Sequence, residues 1–326
     1  MASKRIEFID LAKGVCIILV VLSHCHVNIP FLNYIRMPLY YLLSGLFFKQ
    51  YEGFIGFTLR KVNKILIPFL FFYTVSFLLY KVICIYAPGI KINSAVEQFY
   101  YFDPLYSRLC FNNPLWFLIS LFTVNIIFYV LQISKWRNWI VGVFAILCVV
   151  TSPLLETLEM KLPLYLYKTI HFFPFFYFGY LLKRSNLLIE STTFGFKKEI
   201  SLTLLLTVLF FVLAIIDIPS VWANNIKFYI VAAIGVLVLL LILKRIKYLP
   251  IVSYFGRYSI IILCTSYLVY SPLQVVLHKL IKISEASGNW IVFFVTLAVE
   301  YVVILGCLKW LPYVTAQKDI IPVKPR

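Results

Sequence analysis

The sequence predicts an all-α protein, a polytopic transmembrane helical bundle of about ten spans with both termini in the cytoplasm. Three observations predict it. The 326-residue chain is 62% hydrophobic and only 13% charged, far from the composition of a soluble domain. Apolar stretches long enough to cross ~30 Å of hydrocarbon recur along the whole chain. Between them the basic residues alternate, one connection rich in Lys and Arg and the next one poor.

The spans begin near Leu11, Tyr34, Ile65, Pro114, Asn138, Tyr165, Ile200, Asn224, Ile251 and Trp290. Lys4 and Arg5 precede the first. Lys49, Arg60, Lys61 and Lys64 follow the second, and Lys135 and Arg137 the fourth. Lys183, Arg184, Lys197 and Lys198 follow the sixth, and Lys244, Arg245 and Lys247 the eighth. Lys318, Lys324 and Arg326 come last. The intervening connections hold only Arg36, Lys91 with Arg108, Lys161, and Lys279 with Lys282. The rich set marks the cytoplasmic side. An anionic cytoplasmic leaflet then accounts for most of the +17 net charge, with membrane lipid rather than nucleic acid as the partner.

The first apolar run lacks a small-x-small cleavage site, and Ser23 and His24 interrupt its end, so it is expected to stay as an anchor. Little chain is left for a soluble domain, and residues 1–326 read as a single integral-membrane domain. The longest polar connection, Ala87 to Asn113, reads as extracytoplasmic. It is either a functional loop or an ordered cap. Seven cysteines are scattered with no C-x-x-C pair, which points away from a zinc site or a disulfide framework. His24, Cys25 and His26 are adjacent, but neighbours on a helix diverge by about 100° and cannot converge on one metal. No metal is expected.

Chemistry is expected on the first helix. Lys13 and His24 are eleven residues apart, close to three helical turns, and so share a face, with Asp10 one short turn before Lys13. Ionisable groups at membrane depth normally line a cavity or a pathway. His24 suits a general base, its side chain titrating near neutrality, or it is a helix-packing histidine. Asp10 either positions a substrate or pairs with Lys13. Arg60, Lys61 and Lys64 read as a cytoplasmic loop entering the third span, either for phosphate binding or only for setting topology. Trp116 reads as an interfacial anchor or a sugar-stacking ring, and His171 as a structural histidine or a cavity wall.

Taken in order, the segments resemble the acyltransferase 3 family of integral-membrane acyltransferases that modify surface glycans. Lys13 and His24 match the family's basic residue, ten residues, then histidine. Met37 to Phe47 is similar to its Met-Pro-Leu-Phe-Phe…Ser-Gly-Phe segment, and Lys61, Lys64 and Pro68 to its basic-x-x-basic run before proline. Pro114-Leu115-Trp116-Phe117-Leu118, Phe172 to Tyr180 and Phe255 to Ser259 resemble later family segments. There are two departures. Arg36 stands where members often have histidine, and Cys264-Thr265-Ser266 where many have another.

The resemblance implies transfer of an acyl group, usually acetyl, from cytoplasmic acetyl-CoA to a hydroxyl of a glycan or lipid-linked sugar at the cell inner membrane. On that reading His24 is the base, with Lys13 and Asp10 beside it. Arg60, Lys61 and Lys64 bind coenzyme A, and Arg36, Trp116 and His171 face the acceptor. The protein acts alone or with polysaccharide-biosynthesis neighbours. The alternative is a transporter or flippase of lipid-linked sugars that uses the charged stripe as its pathway. Against it, the sequence has no paired broken helices at matching places in two halves.

Overall fold

The structure, a computed structural model, describes residues 7–50, 53–86, 102–103, 108–109, 111–133, 137–158, 162–184 and 196–323. Most of the Ala87–Asn113 connection, together with Lys4, Arg5, Lys135, Lys161, Lys324 and Arg326, lies outside the described residues.

The regular structure of the described residues is helical apart from a two-residue antiparallel pair, β1 (Phe102–Asp103) and β2 (Arg108–Leu109). The helices are α1 (Glu7–His24), α2 (Arg36–Leu46), α3 (Phe54–Lys61), α4 (Ile67–Tyr86), α5 (Trp116–Ile133) and α6 (Arg137–Thr157). They continue with α7 (Leu166–Arg184), α8 (Phe196–Ile215), α9 (Val221–Ile246), α10 (Pro250–Arg257), α11 (Ser259–Gln274) and α12 (Glu285–Trp310). Seven of the described helical stretches are long and apolar enough to cross a membrane. The expected first, second and sixth spans, α1, α2 and α7, are not among them. Glu7, Asp10 and Lys13 load α1 with charge, α2 has only 11 residues, and α7 interleaves Lys168, His171 and Pro174 with its aromatic residues.

These three less apolar helices pack at the centre. The most extensive contacts are α2 with α7 and α1 with α10, and both are built on reciprocal glycines. Gly45 of α2 lies on the Phe176 carbonyl of α7, and Gly179 of α7 lies on the Leu42 carbonyl of α2. Gly14 of α1 meets the Val252 carbonyl of α10, and Gly256 of α10 meets that of Asp10. Small residues let helix backbones approach closely where lipid offers little hydrophobic drive. The outer helices are the reverse. On α8, Leu204, Leu205 and Val208 are each more than 60% exposed, a surface that lipid tails would cover.

Two segments expected as simple spans are interrupted. Residues 54–86 form one long helix with a π turn at Val62–Leu66, so Arg60, Lys61 and Lys64 lie on helix and not in a loop. Pro68, just after that turn, has no N–H for the usual i→i−4 bond, and the shift to i→i−5 bonding falls there. The expected ninth span is two helices. α10 ends at Arg257, Tyr258 leaves the helical region at φ −113° and ψ 24°, and α11 restarts at Ser259.

The 311–323 segment returns to the π turn. Asn63, fully buried, donates from Nδ2 to the Ile321 carbonyl (2.9 Å) and accepts at Oδ1 from the Ile320 and Ile321 amides (3.2 and 2.9 Å). Lys64 Nζ pairs with Asp319 (2.9 Å) and donates to the Ala316 carbonyl (2.8 Å). Replacing Asn63 with Ala removes three bonds and is expected to cost about 2–4 kcal/mol. Thermal unfolding of the purified protein measures this, and limited proteolysis should then cut first within 311–323.

Candidate active site

The chemistry-bearing residues collect at two levels of the central helices. At the basic end, where Lys183 donates to the Phe48 carbonyl (2.6 Å), a cavity of about 260 Å³ opens between α1, α2, α3, α5 and the α10–α11 break. Lys13, Lys61 and Arg257 all line it, beside Tyr40, Asn125 and Ser259. Each cation is placed by its helix. Lys13 reaches over the Phe47 ring, 4.5 Å from its centroid, and Lys61 projects from the last turn of α3 over Phe57 at 5.4 Å. Arg257 is delivered by the end of α10, which the Gly14 and Gly256 contacts hold against α1. Three cations around one cavity make a focused positive field for an anionic ligand.

His24, the last residue of α1, lies at the opposite end of the same helix. Its half-buried ring stacks on Tyr270 of α11 (5.8 Å, 6°), and its carbonyl accepts from Gln274 Nε2 (3.4 Å). Between the two levels, Tyr40 and Phe117 set their rings 4.7 Å apart at the inner wall of the cavity, which Ser259 also lines. Arg36 opens α2 and Trp116 opens α5. Lys168, in the first turn of α7, holds Nζ 3.7 Å from the Trp116 ring centroid. The charges of Arg36 and Lys168 both act on the His24 imidazole.

The expected site residues therefore separate. Lys13 and Lys61 come together. Gly256 packs on the Asp10 carbonyl, and Asp10 is not among the residues that line this cavity. It lines a second cavity of about 260 Å³ with Glu7, Tyr248, Ser253, Tyr254 and Arg257. Arg60 is half-buried one residue before Lys61 and does not line the cavity, while Lys64 is committed to the 311–323 segment. His171 is satisfied by structure. Its Nδ1 lies 2.5 Å from Ser152 Oγ, Tyr229 donates to its carbonyl (2.9 Å), and its ring sits against Phe172, Phe228 and Tyr229. Trp116 is buried against Tyr165, under Lys168. No cluster of His, Cys, Asp or Glu that could hold a metal occurs among the described residues.

Sequence reasoning missed Arg257, Asn125 and Lys168 as site residues. Lys168 had a readable signal, a lone lysine three residues before His171 among Tyr165, Tyr167 and Phe172.

A family model described as an acyltransferase domain matches residues 6–307. The chain belongs to the acyltransferase 3 family. No curated protein and no solved structure matches it. The match runs from the start of α1 nearly to the end of α12, so both levels of the candidate site lie inside the family domain. With its apolar helices, the acyltransferase is a multi-pass membrane protein.

Proposed function

We propose that this acyltransferase moves an acetyl group from acetyl-CoA to a hydroxyl of a cell-surface glycan or its lipid-linked precursor, in the inner membrane of a bacterium. The observation that carries this reading is the meeting of Lys13, Lys61 and Arg257 at one cavity on the helix that also bears His24. The basic end faces the cytoplasm under the positive-inside rule, which puts the cavity where coenzyme A is found. Lys and Arg are the side chains that hold phosphate groups, and coenzyme A carries several.

In the proposed reaction the donor's phosphates stay with the three cations, and its narrow thioester end enters past Tyr40 and Phe117. Lys13 and His24 are separated by about 16 Å along α1, at ~1.5 Å per residue. The thioester must cover that distance. His24 takes the proton from the acceptor hydroxyl as its oxygen attacks the thioester carbonyl. The C–S bond then breaks, and the sulfur leaves as thiolate and is protonated to coenzyme A thiol. Asp10 and His171 have no step in this scheme. The protein works alone or beside other polysaccharide-biosynthesis proteins.

The test is coenzyme A binding to the full-length protein in nanodiscs, by calorimetry, alongside transfer of labelled acetyl. Lys61→Ala and Arg257→Ala are each expected to weaken binding about tenfold or more, the scale of one charge-assisted bond. Lys64→Ala should leave affinity unchanged. Full affinity in Lys61→Ala and Arg257→Ala together would place the donor elsewhere.

A further inference from the structure

Beyond the donor cavity, the His24 level carries more positive charge than base catalysis requires. Arg36 and Lys168 are both half-buried, and neither has a carboxylate partner among the described residues. Buried or membrane-level cations are normally paired, because desolvation without a counter-charge is costly. Lys168 has a partial answer in the face of Trp116 at 3.7 Å, with Tyr167 at 5.8 Å. A ring face compensates an ammonium only in part and leaves its N–H donors unused. Among the described residues the side chain of Arg36 has no hydrogen-bond partner, while its backbone carbonyl accepts from Cys16 Sγ at 3.0 Å.

Placement strengthens the case. Side chains in the first turn of a helix point back toward its N-terminus. Arg36 on α2 and Lys168 on α7 are both first-turn residues of helices that begin at the His24 end. They belong to the helix pair locked by Gly45 and Gly179, so their spacing is fixed by backbone contact. α1 finishes at that same end in His24, whose ring stacks on Tyr270. Trp116 adds an aromatic face under Lys168.

We infer that the acyl acceptor carries a negative charge close to the hydroxyl that is acylated, and that Arg36 and Lys168 hold that charge while His24 removes the hydroxyl proton. The ligand chemistry is a carboxylate or a phosphate ester. It comes either from a sugar acid within the glycan or from the phosphate that links a neutral sugar to its lipid carrier. This rests on the acetyl-transfer reading above and adds the class of acceptor. An uncharged glycan would leave both cations uncompensated during the reaction.

The test has two readouts. First, mass spectrometry and NMR compare the surface glycans and lipid-linked precursors of cells that natively produce the chain with those of cells lacking it. The acetylated sugar is expected to bear, or be joined directly to, a carboxylate or phosphate. A charge found in the finished polymer identifies a sugar acid. A charge present only in the precursor identifies the carrier phosphate. Second, R36Q with K168Q is expected to lower acetylation about tenfold or more, the scale of a charge-assisted bond. Coenzyme A binding at the Lys13 cavity should persist, and R36K with K168R should restore much of the activity.

Acetyl on a neutral sugar with no adjoining anion overturns the inference and leaves the acetyltransferase reading intact. So does wild-type acetylation by R36Q with K168Q. No acetyl difference between producing and lacking cells overturns the acetyltransferase reading itself, and the inference with it. The first readout uses the unaltered protein, so it decides the matter even where a variant fails to fold.

Discussion

Replacing His24 with Ala is expected to lower acetyl transfer by about 10²–10⁴-fold while coenzyme A binding is unchanged, because general base catalysis contributes on that scale. The split follows from the architecture. His24 stacks on Tyr270 at the far end of α1, whereas Lys13, Lys61 and Arg257 line the basic cavity proposed for the donor. His24→Gln keeps a polar side chain but cannot accept a proton near neutral pH, and should be as inactive as the alanine variant. Loss of the ring stack is worth only about 0.5–1.5 kcal/mol, so the variant should still fold. Single-turnover acetyl transfer and calorimetric coenzyme A binding, measured on the same preparation, check both halves. Retained transfer in His24→Gln would remove His24 as the base.

The largest stability effect is expected at Gly45. A Cβ there would overlap the Phe176 carbonyl, which is backbone and cannot rotate aside. Overpacking by a side chain typically costs about 1–3 kcal/mol when neighbours can shift, and Gly45→Val should reach or exceed the top of that range. Gly179→Val should behave alike, because it overlaps the Leu42 carbonyl across the same crossing. Gly56 is the control. It lies in α3, nothing stands within 4 Å of an added Cβ, and Gly56→Ala should be neutral or gain up to about 1 kcal/mol. Thermal unfolding in detergent, followed by size-exclusion, measures all three. A Gly45→Val protein as stable as its parent would mean that α2 and α7 do not approach as described. Activity should fall with stability here, since the crossing also sets the spacing of Arg36 and Lys168.

Much of this was legible in the sequence. The membrane class followed from composition, and the Lys13–His24 face from helical spacing, because both depend on local properties. Lys61 was also legible, but its neighbours Arg60 and Lys64 looked equivalent to it. Only the π turn and the returning 311–323 segment separate the three, and neither leaves a local signal. The same applies to Asp10. By spacing it belongs with Lys13, yet α10, more than two hundred residues later, packs on its backbone and gives it a cavity with Ser253, Tyr254 and Arg257. Arg257 was part of a recognised motif, but its entry into the donor cavity depends on the helix break at Tyr258. α1, α2 and α7 read as ordinary spans because each holds an apolar run, although charge, short length and interleaved polar residues set them apart from the seven long apolar stretches.

The bonds of Asn63 also bear on the order in which the molecule is assembled. Asn63 leaves the ribosome early, but its partners Ile320 and Ile321 follow more than 250 positions later. Long-range closures of this kind form late, after the loop between them has been ordered. Lys61 and Ile65, at and within the same π turn, line the basic cavity proposed for the donor. Competence to bind coenzyme A should therefore arise in a final step, once synthesis has passed residue 321, rather than growing with each inserted helix.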